Sequence, residues 1–193
     1  MIGFRVSTYQ EVSRLVVAEP PAFAPLGLWR GKSAKEETVG SQKISPDALS
    51  GFVVGEGCFY VESGYDKKYR LGWRIRPAFC VEVRHDDRDV LKALQSAIGC
   101  GNVYDLDFGR YKGYEEKKWQ PHVKYRVSNF EDIQSKVIPF FRQYPLFGRK
   151  RKCFDLFCQI VDAMILKNHL VPDKLEAVKA LVREMNILNK KGV

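Results

Sequence analysis

Glu56 stands between Gly55 and Gly57, at the point where an apolar run with helical spacing gives way to one that alternates like a strand. A carboxylate there faces the negative end of the helix dipole, an unfavourable position unless a cation or a proton compensates it. A divalent metal is one such cation. On the same helix Asp47, Gly51 and Gly55 recur every fourth residue and so share a face. Two interior glycines each cost a helix roughly 1 kcal/mol relative to alanine, which points to a backbone that must come close, such as a second helix against this face. The stretch is too short and too polar to span a bilayer.

The elements that would position Glu56 can be read on either side of it. Ser45 is a suitable N-cap, Pro46 fits the first helical position, and Asp47 complements the positive helix end. Leu49, Phe52 and Val53 form the apolar side of this helix. Residues 58–63 read as a first strand. Trp73 to Arg84 is the clearest one, with Trp73, Ile75, Phe79, Val81 and Val83 on one face and Arg74, Arg76, Glu82 and Arg84 on the other. Pro77 within it predicts an edge or bulged position. Asp86 or Asp87 can cap a following helix with Val90, Leu91, Leu94 and Ile98 as its stripe and Gly99 as its end.

Residues 102–110 read as a third strand and 118–127 as a fourth. The fourth sets Lys118, Gln120, His122, Lys124 and Arg126 against Trp119, Pro121, Val123, Tyr125 and Val127. Asn129 can cap a helix through Phe130, Ile133 and Val137 that Pro139 should kink or end. Residues 149–166 place Phe154, Phe157, Val161 and Ile165 on one helical side. Pro172 opens a last helix with Leu175, Val178, Leu181, Val182 and Met185 at helical spacing. The expected class is α+β: helix, two strands, helix, two strands, then helices. Residues 1–44, with Pro20, Pro21 and Pro25 and a polar run from Lys32 to Lys43, read as an irregular or partly disordered extension, with a short helix possible near 9–18. Residues 45–193 read as a single domain.

The chain of 193 residues carries a net charge of +9. Six basic and four acidic residues among the first 44 leave +7 on the remainder, an excess that suits a polyanionic partner such as nucleic acid. Five cysteines, Cys58, Cys80, Cys100, Cys153 and Cys158, lack both a Cys-x-x-Cys pair and zinc-site spacing, and are expected as reduced thiols of an intracellular protein. His85, His122 and His169 are scattered, and no nucleophile motif, phosphate-cradling loop or dinucleotide fingerprint is present. No secretory signal or internal repeat is evident, so the expected location is a bacterial or archaeal cytoplasm or an organelle matrix.

The stretch Leu49-Ser50-Gly51-Phe52-Val53-Val54-Gly55-Glu56-Gly57 resembles the nine-residue motif of the LAGLIDADG homing endonucleases. The leading leucine, the small packing positions, the acidic eighth residue and the final glycine are all present. The order of elements resembles that family's αββαββα core. The segment Ile138-Pro139-Phe140-Phe141-Arg142-Gln143-Tyr144-Pro145-Leu146, with Lys150 following, resembles the linker before its later helix.

The resemblance implies a curved four-stranded antiparallel sheet backed by helices and seated on double-stranded DNA. Arg74, Arg76, Glu82, Arg84, Lys118, Gln120, His122, Lys124 and Arg126 would face the duplex. One motif per chain implies a homodimer joined through Asp47, Gly51 and Gly55, cutting a pseudo-palindromic site. It also implies Mg²⁺ held by Glu56 and the Gly55 carbonyl, with a basic group near the scissile phosphate. Arg84 and Lys124 are taken for that role, and Arg88 and Arg126 are further candidates. Val54, where the family is often acidic, and Val83, where some members carry a polar water-organising side chain, depart from the pattern. Two alternatives therefore stay open: an intron RNA maturase, and a DNA-binding regulator that does not cut.

Overall fold

A computed structural model describes residues 37–39, 42–106 and 121–190. The Ser45 hydroxyl accepts from the Ala48 amide at 3.2 Å, with Pro46 just inside the start, and helix α1 runs over Pro46–Glu56. Leu49 and Val53 are fully buried, which fixes the face this helix turns to the core. Its end is set by space. The Gly57 amide donates to the Val53 carbonyl, and a Cβ at Gly57 would collide with the Val53 side chain and lie 2.7 Å from that carbonyl oxygen.

The chain therefore leaves α1 directly into a strand. Two short strands, β1 (Glu37–Val39) and β2 (Gln42–Ile44), pair just upstream of α1. Residues 1–36, including the short helix expected near 9–18, lie outside the described residues. Strand β3 (Gly57–Tyr65) pairs antiparallel with β4 (Trp73–Arg84) in continuous register, from Gly57 opposite Val81 to Tyr65 opposite Trp73. Helix α2 (Arg88–Ile98) follows, buries Leu91, Leu94 and Ile98, and ends on Gly99 in the left-handed region. Asp87 sits at its N-cap without a side-chain bond, and Asp86 is taken up by Arg84 instead.

Strand β5 (Asn102–Leu106) and strand β6 (His122–Val127) complete an antiparallel sheet of order β3-β4-β6-β5. The third and fourth strands are thus described over shorter spans than 102–110 and 118–127, since 107–120 lie outside the described residues. Pro77 belongs to an interior strand and is not bulged. Pairing of β4 with β6 begins at Phe79, so Pro77 lies where one flank of β4 is free and no ladder donor is required of it.

Three further helical runs cover one face of the sheet. The first, α3, comprises Phe130–Asp132, a π-helical turn Ile133–Val137 and Ile138–Gln143. Asn129 caps it by accepting from the Asp132 amide at 3.1 Å. Pro139 neither kinks nor ends this run. The wider π turn just before it accommodates the ring and the missing donor. Helices α4 (Gly148–Ile165) and α5 (Pro172–Lys190) follow.

Phe154, Phe157 and Val161 of α4 are buried as expected, but Ile165 is 42% exposed. It is the terminal residue of α4, before the turn through Lys167. Phe59 on β3 centres the core, with its ring centroid 4.8 Å from Phe79, 5.3 Å from Phe141, 5.2 Å from Phe154 and 5.4 Å from Phe157. One side of the sheet is thereby sealed by aromatic packing, and its polar side is left for other use.

Candidate nucleic-acid interface and metal site

Glu56 is the last residue of α1 and is exposed. It makes no hydrogen bond or ion pair with any described residue, and the last turn of the helix holds no basic side chain of its own. A cation reaches this end from a distant part of the chain. The ammonium of Lys150, on the first turn of α4, donates to the carbonyl of Gly57, across 93 positions of sequence. Sequence reading noted Lys150 only as part of a linker. Lys150 and Lys124 also lie close enough to Cys58 to favour its thiolate. A hydrogen bond from Cys80 is the larger cause, and together these outweigh burial and lower the Cys58 pKa to about 6. The same bond and burial push Cys80 upward.

The strand register sorts the polar face of the sheet into rows. Lys124 is opposite Glu82 on β4 and Tyr104 on β5; Arg126 is opposite Cys80 and Asn102; His122 is opposite Arg84 and Leu106. Arg76 is opposite Glu62, and Arg74 opposite Gly64. These side chains pair with one another. Arg126 donates to Glu62 at 2.6 Å, Lys124 to Glu82 at 3.2 Å, and His122 Nδ1 lies 3.4 Å from the other oxygen of Glu82.

Arg76 bonds the Tyr69 hydroxyl at 2.9 Å, and Arg74 lies 3.8 Å from Asp66. Burial works to lower the Lys124 pKa, but Cys80 and Glu82 outweigh it and raise the value, so this ammonium stays charged. Arg74, Arg76, Glu82, Arg84, His122, Lys124 and Arg126 thus share one face, as expected. Lys118 and Gln120 lie outside the described residues. Tyr104 and Asn102 join this face and were missed, because β5 alternates too weakly to be assigned a side from sequence.

The basic candidates differ in position. Arg84 is exposed at the end of β4 and donates to Asp86 at 2.7 Å, and Arg88 is held by Asp105. Lys124 lies on the row of Glu82, next to the row on which β3 begins, and Lys150 reaches Gly57 itself.

The face of α1 that carries Asp47, Gly51 and Gly55 is exposed, and a Cβ added at Gly51 or Gly55 would meet nothing within 4 Å. Nothing in the described chain explains these glycines. The two departures are packing positions. Val83 is 8% exposed and opposite Val123 on the core side of the sheet, while half-buried Val54 packs on the core. Neither side chain bears on the polar face.

Glu56 and the exposed Gly55 backbone are oxygen donors of the kind a hard divalent cation takes. Among the described residues no group of three or more His, Cys, Asp or Glu side chains could hold a metal ion. No helix among them is long and apolar enough to cross a membrane.

The profile described as LAGLIDADG endonuclease matches residues 49–161. A probable intron-encoded endonuclease 2 of Neurospora crassa is 27% identical over 146 residues, which is 76% of this chain and 29% of that protein. I-SmaMI bound to an uncleaved DNA target in the presence of calcium ions superposes with a TM-score of 0.64 at 33% identity, covering 74% of this chain and 45% of that one. The homing endonuclease I-TnaI superposes at 0.63 and 30% identity, covering 75% of this chain and 90% of that one. The chain spans under a third of the curated relative's length.

Proposed function

Because the chain belongs to the LAGLIDADG endonuclease family, we propose that it is one unit of a site-specific DNA endonuclease, working as a homodimer on a long pseudo-palindromic duplex. The observation that carries this reading is the exposed Glu56 at the end of α1, which pairs with no described residue, beside a glycine face that none of the described residues covers. A second motif helix on Gly51 and Gly55 would bring a second Glu56 to the same place. The structure of I-SmaMI bound to an uncleaved DNA target in the presence of calcium ions supports the partner and the class of metal.

The chain's own groups divide the work. Arg74, Arg76, Arg84, His122, Lys124 and Arg126 attract and orient the duplex, while Glu62 and Glu82 hold two of these cations in place before DNA arrives. Glu56 and the Gly55 carbonyl hold the divalent ion, taken to be Mg²⁺. When bound, it supplies Lewis-acid polarisation of the phosphate and a more acidic water. Lys150 stabilises the charge that develops on the phosphate, a role assigned to it ahead of Arg84 and Lys124 because it reaches Gly57. Val83 faces the core, so its side chain takes no part in this division of work.

The reading is tested by incubating the purified chain with a duplex spanning the uninterrupted junction of its host element, in Mg²⁺ and in chelator. Metal-dependent cutting of both strands, with the mass of two chains on the DNA, is expected. Tight binding without cutting would favour a regulator, and tighter binding to intron RNA than to any duplex would favour a maturase. The working location is proposed to be an intracellular DNA compartment.

A further inference from the structure

Cys58 and Cys80 have no part in the reading above, yet they occupy directly opposed positions of the β3–β4 ladder. Opposed residues of an antiparallel pair have Cα atoms about 4.5–5.5 Å apart, inside the roughly 4.4–6.8 Å range that a disulfide spans. Directly opposed side chains of an antiparallel pair lie on the same face of the sheet and next to each other. Both sulfurs are free. Cys58 is half-buried and Cys80 is buried at 8% exposure, so a small thiol reagent would reach Cys58 first. They stand on the polar face, in the row of Arg126, and not in the aromatic core.

We propose that Cys58 and Cys80 are a dithiol modification site whose co-reactant is a small-molecule disulfide of the glutathione type. The Cys58 thiolate attacks one sulfur of the reagent, forming a mixed disulfide and releasing one glutathione thiolate. The Cys80 thiolate then attacks the Cys58 sulfur, closing an intrachain Cys58–Cys80 bond and releasing the second. The two cysteine protons go to the two glutathione thiolates. Two protein thiols are oxidised and one disulfide is reduced to two thiols. The product ties β3 to β4 one residue past Gly57. Partner choice follows from strand register and holds whether or not the chain cuts DNA. Cys153 on α4 is buried, and its Sγ lies 3.5 Å from Asn189 Oδ1.

The test treats the full chain with oxidised and reduced glutathione at stepped ratios, quenches it with an alkylating agent, and maps the peptides by mass without reduction. The expected result is one cross-linked pair containing Cys58 and Cys80, two hydrogens lighter than the free peptides, with Cys100, Cys153 and Cys158 alkylated. In Cys80→Ser the reaction stops at a glutathione adduct on Cys58. Cross-linking of Cys58 to Cys153 or to a second copy, a glutathione adduct that persists on Cys58 in the wild type, or two thiols left alkylated at the most oxidising ratio would each overturn the proposal. The wild-type map alone decides it if the variant fails to fold.

Discussion

Lys150 donates to the carbonyl of Gly57, one residue past Glu56, and thereby ties the start of α4 to the end of α1. If this ammonium is the basic group at the phosphate, Lys150→Met should slow cleavage by about 10²–10³-fold, the scale of losing one donor to developing charge. DNA affinity should change by only a few-fold. Arg84→Ala, whose guanidinium is occupied by Asp86, should cost far less. Single-turnover cleavage of both variants measures the difference. An Arg84→Ala loss larger than that of Lys150→Met would reverse the assignment.

Ser50 is 3% exposed and donates to the Tyr144 carbonyl at 2.7 Å, joining the motif helix to the linker before α4. Ser50→Ala leaves that carbonyl without its donor and should cost about 1–3 kcal/mol. The loss would appear as a lower urea midpoint at unchanged slope. A midpoint within error of wild type would mean that this bond does not hold the linker.

Gly51 meets nothing within the described chain. Gly51→Ala should therefore keep or raise the thermal stability of the isolated chain, by up to about 1 kcal/mol from helix propensity. Gly51→Leu should leave the fold intact but abolish assembly into the two-unit form and, with it, specific binding. Light scattering with and without DNA reads both effects. A Gly51→Leu protein that still assembles would place the partner elsewhere.

Lys124 is held by Glu82 on the polar face of the sheet. As a phosphate contact, its loss in Lys124→Ala should weaken binding about equally across sequences and flatten the dependence of log K on log salt by about one unit. Titrations at four salt concentrations on specific and unrelated duplexes check this. A loss confined to one base position would make Lys124 a base reader.

The parts of the molecule legible in sequence were those governed by local spacing. Ser45, Pro46 and Asp47 announced α1, and the alternation of Trp73 to Arg84 gave β4 its bounds and its two faces. The cationic side of β6 followed for the same reason. What escaped depended on distant contacts. Nothing within one turn of Lys150 refers to Gly57, so the bond between them exists only once α4 has packed. Pro139 carried a correct local warning, which the π turn Ile133–Val137 absorbed within a continuing helical run. The register of Val83 opposite Val123 turns it to the core, the face that the alternation of its strand assigns to it.

The most direct test of the account is cleavage by Glu56→Gln beside wild type on the same duplex in Mg²⁺, with DNA affinity measured in parallel. The amide keeps the size of the side chain but removes the charge that would hold the cation at the end of α1. The account predicts that double-strand cutting is lost while binding stays within a few-fold of wild type. Cutting by Glu56→Gln at the wild-type rate would contradict it, and would remove Glu56 from the metal site.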